Sequence, residues 1–127
     1  DLPWRIVATQ DAAKLRAEKP AAHLFTDVHA ERTLVVEAVR DWESELLRPL
    51  FEERAVCQLM LECGGAMLAE WLKAGLINEW VQIITPYIAG GPHELIAGAD
   101  YLPQEVKLSQ QVVTTLGADL VLRGVIE

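Results

Sequence analysis

The stretch Leu59 to Pro86, LMLECGGAMLAEWLKAGLINEWVQIITP, constrains the fold more than any other part of the chain. It joins an apolar run, an acidic residue, two glycines, an amphipathic helix and a second apolar run within 28 residues. The run Leu59 to Leu61 reads as the heart of a central buried strand, Gln58 to Glu62. Met67, Leu68, Trp71 and Leu72 recur at helical spacing, so a helix is expected from about Gly65 to Lys73, with Gly75 as its stop. Val81 to Thr85 reads as the next strand. The unit is then expected to be β-α-β with a parallel, right-handed crossover, which favours an α/β sheet.

Glu62 falls at the carboxyl end of the first strand, the side on which open α/β sheets bind ligands. Gly64 and Gly65 lead into a helix N-terminus, where free backbone N–H groups attract anions and the lack of side chains allows close approach. Two readings stay open: a phosphate cradle, or a tight strand-to-helix turn. No G-x-G-x-x-G dinucleotide fingerprint occurs.

Elsewhere, Trp4 to Thr9 is rich in β-branched residues and reads as a strand. Asp11 to Lys19 reads as a helical turn ended by Pro20, and Ala22 to Thr26 and Thr33 to Ala38 as strands joined by a short loop. Trp42, Leu46, Leu47, Leu50 and Phe51 form a helical stripe over Asp41 to Glu53. Asp41 is its expected N-cap, and Pro49 is expected to kink it or end it early near Arg48. Glu43, Glu45, Glu52 and Glu53 read as its solvated face. The glycine-rich segment from Thr85 to Pro103 reads as a long loop, either a plain surface loop or the flank of a cleft. Val106 to Leu116 and Asp119 to Ile126 read as a hairpin around Gly117 and Ala118.

With 51% hydrophobic and 24% charged residues, the chain has a globular composition. Its 14.1 kDa is enough for one core. A net charge of -8 and the absence of a basic stripe argue against nucleic acid and anionic membranes as partners. No run of about 18 apolar residues and no leader pattern occurs, so a soluble, cytoplasmic protein is expected. Cys57 and Cys63 would lie about 20 Å apart on an extended strand, at ~3.3 Å per residue, and are expected to be free thiols. His23, His29 and His93 are too scattered for a metal site, and no metal is expected.

The block Glu62, Cys63, Gly64, Gly65, Ala66, Met67, then Ala74-Gly75-Leu76, Asn78-Glu79, Pro86 and Gly90, resembles the C-terminal half of the reductase domain of riboflavin biosynthesis enzymes. These are the 5-amino-6-(5-phosphoribosylamino)uracil reductases. PWRIVATQ near the start and ADLVLRGVIE at the end are similar to further segments of that family. The resemblance implies a dihydrofolate-reductase-like α/β fold: a mixed sheet, flanking helices and a C-terminal antiparallel hairpin, incomplete at its N-terminal half. It implies NADPH as cofactor and reduction of the phosphoribosylaminouracil substrate to its ribitylamino product. By the same resemblance Glu62 contacts substrate, while Gly64, Gly65, Ala66, Met67, Leu68, Ala69 and Glu70 line the cofactor phosphates.

Ala66 stands where the family usually has Ser or Thr, removing a hydroxyl whose hydrogen bond would be worth roughly 0.5–1.5 kcal/mol. The zinc deaminase half fused to many such reductases needs His-x-Glu together with Pro-Cys-x-x-Cys, and that pair of motifs is absent. The chain, residues 1 to 127, is therefore expected to be the C-terminal part of a single reductase domain. A cleft open on one side would leave this chain alone with weak or no NADPH binding. A bare sheet edge would promote homo-oligomers. Two other readings compete: a non-catalytic fragment or assembly module, and an NAD(P)H reductase of the same fold acting on a pterin-like ring.

Overall fold

A computed structural model describes residues 3–88, 95 and 105–127. The chain divides into two compact units, Asp1–Leu59 and Met60–Glu127.

In the first unit, strand β1 (Arg5–Thr9) pairs in parallel with β2 (Thr33–Glu37), from Arg5 opposite Thr33 to Thr9 opposite Glu37. Between them lie helix α1 (Ala12–Glu18), the single-turn helix α2 (His23–Thr26) and a 3-10 turn, Ala30–Arg32. Carboxylates seat the start of α1. Asp11 Oδ1 accepts from the Lys14 N–H at 2.8 Å, and Glu37 Oε2, at the end of β2, accepts from the Ala12 N–H at 2.9 Å. Both satisfy amide groups that a helix start leaves without partners.

Long side chains tie the rest of this unit. Arg5 donates to both oxygens of Asp27, at 2.7 and 2.9 Å, and to the His29 carbonyl at 2.7 Å. The Arg5 guanidinium pulls the Asp27 carboxyl down to about 2. The guanidinium carbons of Arg32 and Arg54 each lie 4.7 Å from the centre of the Trp4 ring.

The expected strand Ala22 to Thr26 is instead helical. Amide bonds from Phe25 to the Ala22 carbonyl and from Asp27 to that of His23 close its turn, and the Phe25 ring meets Arg16 at 4.6 Å. A short apolar run does not carry its own secondary structure, and local context decides.

The expected kink at Pro49 takes a definite form. A π-type turn, Glu43–Leu47, runs into helix α3 (Arg48–Arg54), and the Arg48 N–H reaches five residues back to the Glu43 carbonyl. The wider turn makes room where the proline ring would meet the carbonyl four residues earlier. Asp41 Oδ1 accepts from the Glu43 and Ser44 N–H groups, at 3.1 and 3.2 Å, as the N-cap reading required. Leu46 and Leu50, one turn apart, are 5% and 3% exposed.

Residues 57–63, in which the first unit ends and the second begins, have no regular secondary structure and join no strand ladder, and Met60 is 81% exposed. The central buried strand expected at Gln58 to Glu62 is thus not formed. An apolar run becomes a buried strand only where a neighbour supplies hydrogen bonds, and no described residue does so here. Helix α4 (Gly65–Lys73) occupies the expected residues and ends at Gly75, whose φ of +67° is a left-handed conformation that glycine reaches without Cβ strain. Ala69 and Trp71 are its buried residues, at 5% and 4% exposed.

Strand β3 (Glu79–Ile84) has no parallel partner, so the expected β-α-β crossover is absent among the described residues. It pairs antiparallel with β5 (Asp119–Ile126), which also pairs antiparallel with β4 (Leu108–Leu116), in the order β3-β5-β4. Gly117, with φ of +63°, opens the two-residue turn between β4 and β5, as a hairpin needs. A bulge interrupts β4 between Ser109 and Val112, with Gln110 at φ 49°. Gly124 faces it, and a Cβ there would lie 3.2 Å from both Leu108 Cβ and the Ser109 carbonyl oxygen. The loop expected from Thr85 to Pro103 lies largely outside the described residues.

Candidate functional site

The residues singled out by sequence, Glu62 to Glu70, form one continuous piece of the second unit: a segment without regular secondary structure followed by the first turns of α4. Glu62 is exposed and makes no hydrogen bond or ion pair to a described residue, so its carboxylate is not consumed by nearby backbone amides. Cys63 follows, half-buried, and burial pushes its thiol pKa up. At neutral pH it stays protonated and adds no negative charge beside the helix start. Cys57 is exposed, and both thiols are free.

Gly64 is the N-cap of α4, with extended backbone, and offers no side-chain oxygen to the helix amides. A Cβ placed on it would meet nothing within 4 Å. The first intrahelical bond runs from the Leu68 N–H to the Gly64 carbonyl at 3.1 Å. This leaves the N–H groups of Gly65, Ala66 and Met67 unengaged by the backbone, at the positive end of the helix dipole. From Leu68 onward the amides belong to the helix, and the Ala69 side chain is buried.

Basic residues are few in the second unit. From Met60 to Glu127 the sequence has three basic residues, Lys73, Lys107 and Arg123, against eight acidic ones, a balance of 3 − 8 = −5. Arg123 donates to Glu79 Oε2 at 2.6 Å, and Lys107 to Glu127 at 3.0 Å. The helix terminus itself attracts anions through its backbone dipoles. Asn78, also singled out by sequence, uses its carbonyl to accept from the Ile126 N–H at 2.9 Å. Gly90 lies outside the described residues.

No group of three or more His, Cys, Asp or Glu among the described residues is placed to hold a metal ion. Likewise, no helix among them is long and apolar enough to cross a membrane.

A family model described as the RibD C-terminal domain matches residues 2–122. The chain belongs to the RibD C-terminal domain family. Two solved structures of Acinetobacter baumannii RibD share its fold, with TM-scores of 0.75 and 0.74 at 18% identity. Each match covers 98% of this chain and 38% of the RibD chain. The chain thus spans well under half the length of the RibD structures it matches. No curated protein matches it. The dihydrofolate-reductase-like α/β class expected from the resemblance is the class of this RibD C-terminal domain fold.

Of the seven residues that the resemblance groups along the cofactor phosphates, the first three, Gly65, Ala66 and Met67, have amides left over by the helix itself. The signal was present: a glycine at the N-cap, in place of Ser, Thr, Asp or Asn, leaves those donors without an internal acceptor.

Proposed function

We propose that this chain is the reductase part of a riboflavin-biosynthesis enzyme, acting in the cytoplasm. The reaction is reduction of the ribosylamino group of 5-amino-6-(5-phosphoribosylamino)uracil to the ribitylamino product. The observation that carries this reading is the N-terminus of α4, which has no side-chain cap and begins three residues after Glu62, in a chain of the RibD C-terminal domain family. The residues fit a nucleotide phosphate, because three backbone donors at the start of α4 have no acceptor within the helix and the N-cap glycine puts no side chain in competition. NADPH, when bound, supplies the hydride.

The Gly65, Ala66 and Met67 N–H groups would hold its phosphate, and Gly64 lets it come close. Glu62 would hold the substrate in register beside it, as a positioning group more than a proton donor. Ala66 contributes its amide but no hydroxyl.

Gly65→Pro tests the cradle cleanly. It deletes one donor at the first helical position, where proline is well tolerated, after a residue that is already extended. Isothermal titration with NADPH should show binding weakened by roughly 10-fold or more, the effect of losing one charge-assisted hydrogen bond. Glu62→Gln should lower turnover of the uracil substrate while leaving the NADPH Kd unchanged.

A second reading is an assembly module with an incomplete pocket, in which Glu62, without a side-chain partner among the described residues, holds no substrate. Micromolar or tighter NADPH binding by the wild-type chain would eliminate it. No binding at millimolar NADPH would eliminate the reductase reading for this chain alone.

A further inference from the structure

Three residues of the first unit gather positive charge around one aromatic ring. The register that sets Arg5 opposite Thr33 brings Trp4 and Arg32, each one residue earlier, to the same end of the β1-β2 pair. Arg54 comes from the last residue of α3, where Ala55, left-handed at φ 53°, stops the helix. Both guanidinium carbons lie 4.7 Å from the centre of the Trp4 ring, so they are at most twice that distance apart. This is the end at which the parallel strands begin, not the carboxyl end where open α/β sheets take their usual ligands.

The two cations lack an anion. Arg5, next to Trp4 in the chain, is paired with Asp27, whereas neither Arg32 nor Arg54 has a side-chain hydrogen bond or ion pair to a described residue. Glu31 and Glu53, their neighbours in sequence, are exposed and form no ion pair with either. A ring face attracts a guanidinium through its charge and accepts none of its in-plane N–H bonds. In Arg32 the Nε is shut off from solvent without an acceptor, so its outer N–H groups are the donors left to engage a partner. Arg54 is exposed and Trp4 half-buried, which opens the cluster to solvent.

We propose that Arg32 and Arg54, seated on Trp4, bind a phosphate or diphosphate group. The site lies wholly within the first unit and shares no residue with the start of α4. A guanidinium donates two parallel N–H bonds to phosphoryl oxygens, and its planar fork loses little freedom in doing so. Two forks held by one ring suit an anion that spreads its charge over several oxygens. A carboxylate, with one charge and two oxygens, is satisfied by a single fork. The net charge of -8 repels long polyanions and selects a small one, held by local contacts.

Inorganic pyrophosphate is the probe, titrated calorimetrically into the 127-residue chain at low salt, with tryptophan emission as a second readout. Saturable binding is expected, and it should weaken as salt is raised. Arg54→Gln, at an exposed position, should weaken it by roughly 10-fold or more, the effect of losing a charge-assisted hydrogen bond. Arg54→Lys should weaken it less, because the charge stays while the fork is lost. Trp4→Phe should remove the change in emission. Gly65→Pro should leave pyrophosphate affinity unchanged, which separates this site from the one proposed at α4. ADP titrated into the Gly65→Pro chain identifies the source: affinity equal to that of pyrophosphate means that the diphosphate alone is read, and higher affinity means that a nucleotide carries it.

No saturable binding at millimolar pyrophosphate would overturn the proposal. So would equal affinity in the wild-type and Arg54→Gln chains, or binding that Gly65→Pro removes and Arg54→Gln spares.

Discussion

The two units are held by different kinds of bond. In the first, a five-residue parallel pair is braced by long side chains: Arg5 on Asp27, Glu37 on the start of α1, and Trp4 against two arginines. In the second, backbone ladders dominate, because β5 bonds to a neighbour on each side along most of its length. A unit built from charged contacts responds to pH and salt. One built from backbone ladders responds to sterics, and it can leave an apolar face uncovered without losing its shape.

The largest expected effect lies in the second unit. Trp71→Ala removes the larger of the two buried apolar side chains described there and should cost about 3–5 kcal/mol, read by urea unfolding. A cost under 1 kcal/mol would mean that the ladder alone supports the unit. Gly124→Val comes next. Its side chain would press on the Ser109 carbonyl and on Leu108 at the bulge, and about 1–3 kcal/mol of destabilisation is expected by the same measurement. Stability equal to wild type would show that the bulge can move aside.

The smallest effect should separate the first unit by its pH dependence. Asp27 has its carboxyl lowered from 3.8 to about 2 by Arg5 and the His29 amide. A lowered folded-state pKa contributes stability that is fully present above 3.8 and is lost as pH falls through about 2. Asp27→Asn should therefore melt below wild type at neutral pH. The gap should shrink across that acid window, followed by thermal melts at stepped pH. A gap that is the same at pH 7 and pH 2 would mean the ion pair is not its source.

Elements that close on themselves were legible in the sequence. Helix α4 was readable because Met67, Leu68, Trp71 and Leu72 repeat at its period and Gly75 stops it. The β4-β5 hairpin was readable because its turn spans only Gly117 and Ala118. What depended on a distant partner was not. Residues 58–62 have the composition of a buried strand, but a strand exists only with a neighbour, and composition does not name one. The same gap hid the pairing of β3 with β5, whose partner lies some 40 residues away. At the site, the Glu-Cys-Gly-Gly order located the helix start to the residue. Which amides were left free followed only from the Leu68 bond to Gly64.

The bulge in β4 bears on solubility. β4 is an edge strand of a sheet rich in valine, leucine and threonine, the composition that invites open-ended strand addition. Gln110 breaks the even spacing of its amide and carbonyl groups and twists that margin, so an incoming strand finds no continuous template. Growth by the edge, which would have no natural end, is obstructed on this side of the sheet.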